Sequence, residues 1–356
     1  MKVGIIGLPQ SGKKTLFTIL TGTQIPEGTQ LSKPIPGTAD ILDPRFDKLV
    51  AMYEPKKEQP ARIDFVLLPK MEKETISKGS IFQDIADMDA ICLVIRAFED
   101  ESIFHVDGHV DAVRDTEMVC SELLIHDQIF VEKRLERLEL SLKKIKDEDQ
   151  KKEFALLQRM QAHLEEEKPL RLFDISDEEE ALIRSYPLIT RKQMLVVLNT
   201  GEDAIADGKI PATIEERSQR DHMAVLQICA GMESEIALLE DAGEKAAFLE
   251  DLGIAEPALG LLTRTALEAL GRISFFTVGK DEVRQWLVRR DAPAPKAAGV
   301  IHSDLERGFI RAEVIKYDEL MALGSEAEIK KAGKLSVNGK DYRVEDGDIL
   351  NIRFKV

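Results

Sequence analysis

The sequence predicts an α/β protein: a doubly wound, mostly parallel sheet with an inserted α-helical coiled-coil hairpin and a small β-rich domain near its C-terminal end. A strand, a Gly-rich turn and a helix open the chain. Near-continuous apolar runs then recur between helical stretches, as in sheets covered on both faces. Toward the end the pattern changes to short alternating segments separated by turn residues.

The first strand is Val3-Gly4-Ile5-Ile6 and its helix runs through Thr15-Leu16-Phe17-Thr18-Ile19-Leu20. Between them Gly7-Leu8-Pro9-Gln10-Ser11-Gly12-Lys13-Lys14-Thr15 forms a phosphate-binding loop with one changed letter. Its candidate phosphate-binding residues are Gly7, Gln10, Ser11, Gly12, Lys13, Lys14 and Thr15. Main-chain N–H groups and the positive end of the helix cradle a β-phosphate, while Lys13 reaches the β/γ oxygens. The next residue is ordinarily Ser or Thr, whose hydroxyl binds Mg²⁺. Here Lys14 puts an ammonium about where the metal would sit. Thr15 is no simple replacement, because one step along a helix turns the side chain by about 100°. Nucleotide binding is expected, and magnesium-assisted hydrolysis is open.

Three further apolar runs read as parallel strands: Ile63 to Leu68, Ala90 to Ile95 and Met194 to Leu198. Between the second and third, Val131, Leu135, Leu138, Leu142 and Ile145 recur at heptad spacing, and Phe154, Leu157, Met160 and Leu164 make a second seam. Two such helices with a short polar link, closed by Pro169, read as an antiparallel hairpin; the other reading is two surface helices of the main sheet. Near the end, Pro293-Ala294-Pro295 reads as a linker. Leu335 to Val344 reads as two strands with Asn338-Gly339 at the bend, and Ile349 to Phe354 as a closing strand.

Composition narrows the classes. With 356 residues, 32% charged and 44% hydrophobic, the chain is expected to be a soluble protein of two or three domains. No apolar run approaches the ~18 residues of a membrane span, and no signal-peptide pattern is read, so a cytoplasmic location is expected. Cys92, Cys120 and Cys229 are scattered, so they suggest neither a disulfide framework nor a metal site. A net charge of −16 argues against indiscriminate coating of nucleic acid. From Phe276 onward there are 15 Lys/Arg against 14 Asp/Glu, a near-neutral module that leaves room for local RNA contact.

After the Met194 to Leu198 run comes Asn199-Thr200-Gly201-Glu202, and further on Ile228-Cys229-Ala230. Guanine-specific phosphate-loop proteins carry Asn-Lys-x-Asp and a Ser-Ala segment at these places. The candidate base-binding residues are therefore Asn199, Glu202, Cys229 and Ala230. Thr200 for Lys and Glu202 for Asp weaken the expected guanine preference.

On these motifs the chain resembles the YchF family, the Obg-like P-loop ATPases/GTPases, along nearly its whole length. Asp43-Pro44-Arg45-Phe46, Phe98-Glu99-Asp100, Val131-Glu132-Lys133-Arg134, Ile273-Ser274-Phe275-Phe276, Ala298-Gly299-Val300-Ile301-His302-Ser303-Asp304 and Gly308-Phe309-Ile310-Arg311 carry the same resemblance. It implies a P-loop NTPase domain over 1–124 and 186–275, a helical hairpin over 125–185, and a β-grasp-like TGS domain over 276–356. It also implies ATP or GTP as ligand and a ribosome or RNA partner reached through the hairpin and TGS domain. His105 matches a family His, and either positions water or is structural.

The departures from the family bear on chemistry. Leu67-Leu68-Pro69-Lys70 stands where the family has Asp-Ile-Ala-Gly, whose Asp contacts Mg²⁺ and whose Gly N–H contacts the γ-phosphate. Asp64 lies on the opposite strand face and about 10 Å back. The following loop is shortened to Glu72 through Gly79. The family's metal-sensing Thr falls near Leu31, with Thr29 or Ser32 as substitutes if the loop shifts. Three metal- and γ-phosphate-sensing elements change while Gly7, Gly12, Lys13, Asn199 and Glu202 remain. The expectation is a nucleotide-binding regulatory protein with weak or absent hydrolysis. The alternatives are a working Mg²⁺-dependent NTPase with recruited ligands and a nucleotide-free scaffold for ribosome or RNA. The residues do not set the oligomeric state.

Overall fold

The strand that delivers the Gly-rich turn, β1 (Lys2–Ile6), is buried on four of its five residues, which requires neighbours on both edges and cover on both faces. The computed structural model supplies them. It describes residues 1–355 apart from 27, 30, 73, 74, 77, 78, 106, 107, 145, 146, 240, 242, 245, 246, 248 and 250–256, and apart from the side chains of 206, 207 and 258. Ile145 of the first seam, the link residue Lys146 and four residues of the shortened loop therefore lie outside the described residues. Contacts divide the chain into two compact units, 1–39 with 64–258, and 40–63 with 259–356.

In the first unit β1 pairs in parallel with β4 (Arg62–Leu67) on one side and β5 (Ala90–Ala97) on the other. The six-stranded order is β2-β4-β1-β5-β6-β7, with β2 (Ile35–Asp40), β6 (Gln193–Thr200) and β7 (Ala224–Ile228). Alternate residues Ile91, Leu93, Ile95, Met194, Val196 and Leu198 share one core with α3 (Ser80–Ala86), the first half of α4 (Ala112–Leu142) and α8 (Ala212–Arg220). Near the Gly-rich turn, α1 (Lys13–Thr21) packs against α9 (Ala230–Leu238). The short α7 (Glu202–Asp207) follows β6.

The hairpin helix begins at Ala112, ahead of the bound at 125 expected for the hairpin. Val119, Cys120 and Leu123 bind its first half into the sheet core, and Val131, Leu135 and Leu138 carry its second half into another. Its partner α5 (Glu148–Glu165) buries Leu156, Leu157, Met160 and Leu164, a wider stripe than a two-helix seam needs. The reason is a third layer. The 3₁₀ turn Leu170–Leu172, α6 (Asp177–Ile183) and Leu188 join the same core. Arg134 of α4 forks onto Glu153 of α5 at 2.7 and 3.0 Å, with the Tyr186 hydroxyl completing the network. At the base, the buried Asp127 carboxylate accepts from the main-chain N–H of Ile189 and Thr190 and from the Thr190 hydroxyl.

The second unit holds α2 (Pro44–Tyr53), β3 (Glu58–Gln59) and α10 (Ala258–Ala269) together with a mixed sheet. The sheet order is β11-β10-β12-β8-β9-β3, with β8 (Arg272–Thr277), β9 (Val283–Arg289), β10 (Phe309–Lys316), β11 (Ser336–Asn338) and β12 (Asp348–Phe354). The helix α11 (Ala294–Ile301) packs on β9 and β10, with α12 (Ser303–Arg307) next to it. A boundary at 276 would cut β8, which pairs with β9 along Arg272 to Thr277.

Residues 40–63 also differ from the sequence assignment, because Phe46 and Leu49 share a core with Phe276, Val283, Ile315 and Ile349. Completing that core are α13 (Tyr317–Leu323) and α14 (Glu326–Lys331), through Leu320 and Ile329. Pro293-Ala294-Pro295 is not a linker: it is the start of α11, where prolines suit the unpaired N–H positions. Nor is Leu335 to Val344 a hairpin. β11 pairs with β10, while the main chain of Tyr342 and Val344 bonds to Ala294 and Ala292. No helix among the described residues is long and apolar enough to cross a membrane.

Candidate functional site

The turn after β1 is shaped by contacts that exclude a side chain. A Cβ on Gly7 would lie 2.4 Å from the Val94 carbonyl oxygen, and one on Gly12, at φ +87°, would lie 2.1 Å from Asn199 Nδ2. Gln10, between them, holds the left-handed conformation at φ 62°, which a non-glycine residue adopts only when its surroundings enforce it. The loop is fixed from a second direction by Met71 N–H, which donates to the Gly7 carbonyl at 3.2 Å.

Residues 9–15 line a cavity of about 420 Å³ with Gly28, Thr29, Leu31 and Lys70. The Lys13 ammonium is buried and donates to the carbonyls of Gly7 and Leu8, 3.1 Å each. Burial first, then the neighbouring charges of Lys14 and Lys70, lower its pKa to about 7, with Glu72 opposing. Lys14 Nζ donates to the Thr29 carbonyl, while the Thr29 hydroxyl donates to Pro26 O at 2.6 Å. Lys70 pairs with Glu72 at 2.9 Å and is partly exposed. The Ser11 hydroxyl is buried in this loop and has no hydrogen-bond partner among the described residues. Three ammonium groups and the first turn of α1 therefore face one concave space, and no carboxylate is among its described lining residues. Such an arrangement suits a polyanion.

Magnesium does not fit this donor set. The hydroxyl position next to Lys13 carries an ammonium that is already bonded across the cavity. Leu67 is fully buried and offers no side-chain oxygen, and Leu31 lines the cavity where the family's metal-sensing Thr was expected. Thr15 lies exposed at the cavity wall. Asp64 is taken by the Thr38 hydroxyl at 3.1 Å and lies near the N-terminal amine, level with Lys2.

The residues singled out for the base do not share this cavity. Asn199 is buried behind the loop: its Nδ2 donates to Ser11 O at 3.1 Å and its Oδ1 accepts from Ala230 N at 3.0 Å. It thus ties the phosphate loop to the start of α9, where Cys229 is the buried N-cap. Thr200 donates to Ile228 O. Glu202 stands exposed in the first turn of α7. His105 is also outside the cavity lining. Its buried ring meets Asp115 of α4 at 3.0 Å, and Arg114 forks onto the other Asp115 oxygen. The sequence reading did not single out Lys70 as a ligand-facing residue. Its only signal was that a Lys stands where a Gly was expected.

Comparison with known proteins follows the same motifs. A family model described as "YchF-GTPase_C: Protein of unknown function (DUF933)" matches residues 272–355. The Ribosome-binding ATPase YchF of Bacillus subtilis (strain 168) is 40% identical over 367 residues, covering 100% of each chain. Obg-like ATPase 1 of Oryza sativa subsp. japonica is 36% identical, covering 100% of this chain and 92% of its own. The solved structure of the Schizosaccharomyces pombe YchF GTPase matches with TM-score 0.82 at 29% identity, over 99% of this chain and 97% of that one. Similarity of this size along both units, added to the shared motifs, means that the chain belongs to the YchF family.

Proposed function

We propose that this protein binds a purine nucleoside triphosphate, ATP or GTP, at the phosphate loop, without needing Mg²⁺, and hydrolyses it slowly or not at all. The observation that carries this reading is the cavity itself, where Lys13, Lys14 and Lys70 converge beside a buried Ser11 hydroxyl that has no partner among the described residues. Gly7, Gln10, Ser11, Gly12 and Thr15 shape the phosphate cradle, and Lys13 reaches the β/γ oxygens. Lys14 supplies charge that a metal supplies elsewhere. Asn199 and Ala230 hold the base side in register with the loop, and Cys229 and Glu202 border the base. Metal assistance contributes several powers of ten to phosphoryl transfer, so its loss fits slow turnover.

The names of the relatives, ribosome-binding ATPase and Obg-like ATPase, support ribosome association. We assign that contact to the hairpin and the C-terminal unit, the latter as a TGS domain. Calorimetry with ATP and GTP, first with excess Mg²⁺ and then with EDTA, tests the nucleotide reading. Binding that survives EDTA is expected, and binding that appears only with Mg²⁺, or rapid Mg²⁺-dependent turnover, would overturn it. Ribosome co-sedimentation that responds to nucleotide is expected as well. Co-sedimentation indifferent to nucleotide and to Lys13→Ala would instead leave a scaffold.

A further inference from the structure

We infer that Lys70 is the residue by which this site distinguishes a triphosphate from a diphosphate, an inference that rests on the nucleotide-binding reading above. Three observations place it there. The chain around Lys70 is held beside the loop, because Leu68 N–H donates to Ile5 O, Met71 N–H donates to Gly7 O, and the Thr75 hydroxyl donates to Lys70 O. Met71 is fully buried, so the segment is seated in the core. Lys70 lines the same cavity as Lys13 and Lys14, and its charge is felt by the Lys13 ammonium. Finally, Glu72 pairs with Lys70 Nζ at 2.9 Å in an ion pair that remains partly solvated.

The inner phosphates of a nucleotide lie against the loop amides and the α1 N-terminus, contacts that a diphosphate makes as fully as a triphosphate, and Lys13 reaches from the β-phosphate toward the γ. The terminal phosphate adds charge farther out. It meets the wall formed by Lys70, where other members of the family are expected to offer an uncharged glycine N–H. A charge-assisted hydrogen bond there exists only in the triphosphate complex. The buried Ser11 hydroxyl, without a hydrogen-bond partner among the described residues, supports a ligand in the cradle independently of the lysines.

The experiment is calorimetry of ATP and ADP in EDTA with the full chain, its Lys70→Ala and Lys70→Arg variants, and Glu72→Gln. The wild type is expected to prefer ATP. Lys70→Ala is expected to weaken ATP by about 10- to 100-fold while changing ADP little, Lys70→Arg to keep the preference, and Glu72→Gln to strengthen ATP by releasing the ammonium. Equal loss for both nucleotides, or an unchanged ratio in Lys70→Ala, would overturn the role of Lys70 alone. Absence of any binding by the wild type, with or without Mg²⁺, would overturn both readings. Thermal unfolding of each variant confirms that the fold is retained.

Discussion

Lys13 is buried and Lys316 is partly exposed, and the chain treats the two ammonium groups in opposite ways. Lys316 Nζ reaches Asp348 at 2.7 Å, Glu345 at 2.9 Å and the Tyr342 hydroxyl at 3.0 Å. Burial opposes its charge, but these bonds outweigh it and raise its pKa. Lys13 has two carbonyls and the company of two other lysines, and burial lowers its pKa. A lysine whose counter-charge is built into the chain is structure. One that faces carbonyls and like charges is satisfied only by an anion from solution.

The sharpest way to break this contrast is Lys13→Met. It is expected to weaken ATP binding by about 100-fold or more, yet to raise the melting temperature of the nucleotide-free protein, because a buried charge is removed. A fall in melting temperature would show that Lys13 is structural after all. Lys316→Met is expected to do the reverse. Among the described residues it leaves the fully buried Asp348 carboxylate with the Tyr342 hydroxyl and the Glu345 N–H as donors. The cost is about 1–3 kcal/mol of unfolding free energy by denaturant titration, with nucleotide affinity unchanged.

Next in size is a pH effect. With a folded pKa near 7, below the usual 10.5, Lys13 binds fewer protons folded than unfolded above pH 7. Its contribution to the stability of the nucleotide-free protein therefore rises with pH across that window, and its destabilising charge is fully present below it. Nucleotide restores the proton. Affinity is expected to fall by up to about tenfold from about pH 8 to 9, a range chosen because phosphate groups titrate near pH 6. The groups facing the ammonium are Lys14, Lys70 and Glu72, and Lys13→Met is expected to flatten both profiles. The smallest effect is expected for the exposed Glu202, whose change to Gln is expected to alter the ATP-to-GTP ratio by only a few-fold. A large change would mean that this carboxylate is desolvated against the base.

Much of this was legible along the chain because its causes are local. A tight turn between a buried strand and a helix needs Gly7 and Gly12, and the ammonium of Lys13 follows directly. Apolar runs of strand length announced β1, β4, β5 and β6. The hairpin was legible only in part, since heptad spacing reports that a helix buries one face but not how many partners cover it. Leu156, Leu170 and Ile183 revealed the third layer. The strand expected after Gly339 failed because Tyr342 and Val344 bond back to Ala294 and Ala292, and no local propensity records that.

The sequence by itself therefore determined the family, the phosphate loop and the presence of Lys14 and Leu67 where a hydroxyl and a carboxylate were expected, because those are matters of residue type at fixed spacing. Only the tertiary structure decided that Lys70 joins Lys13 and Lys14 at one cavity and that Asn199 serves as a bracket between Ser11 and Ala230. It also decided that Arg45 reaches Asp346, 301 positions away, so that residues 40–63 fold with the C-terminal unit. The physical reason is range. Turn geometry and helix termini act over a few residues, whereas the charge and hydrogen-bond partners of a buried group come from whichever segments the core packs beside it.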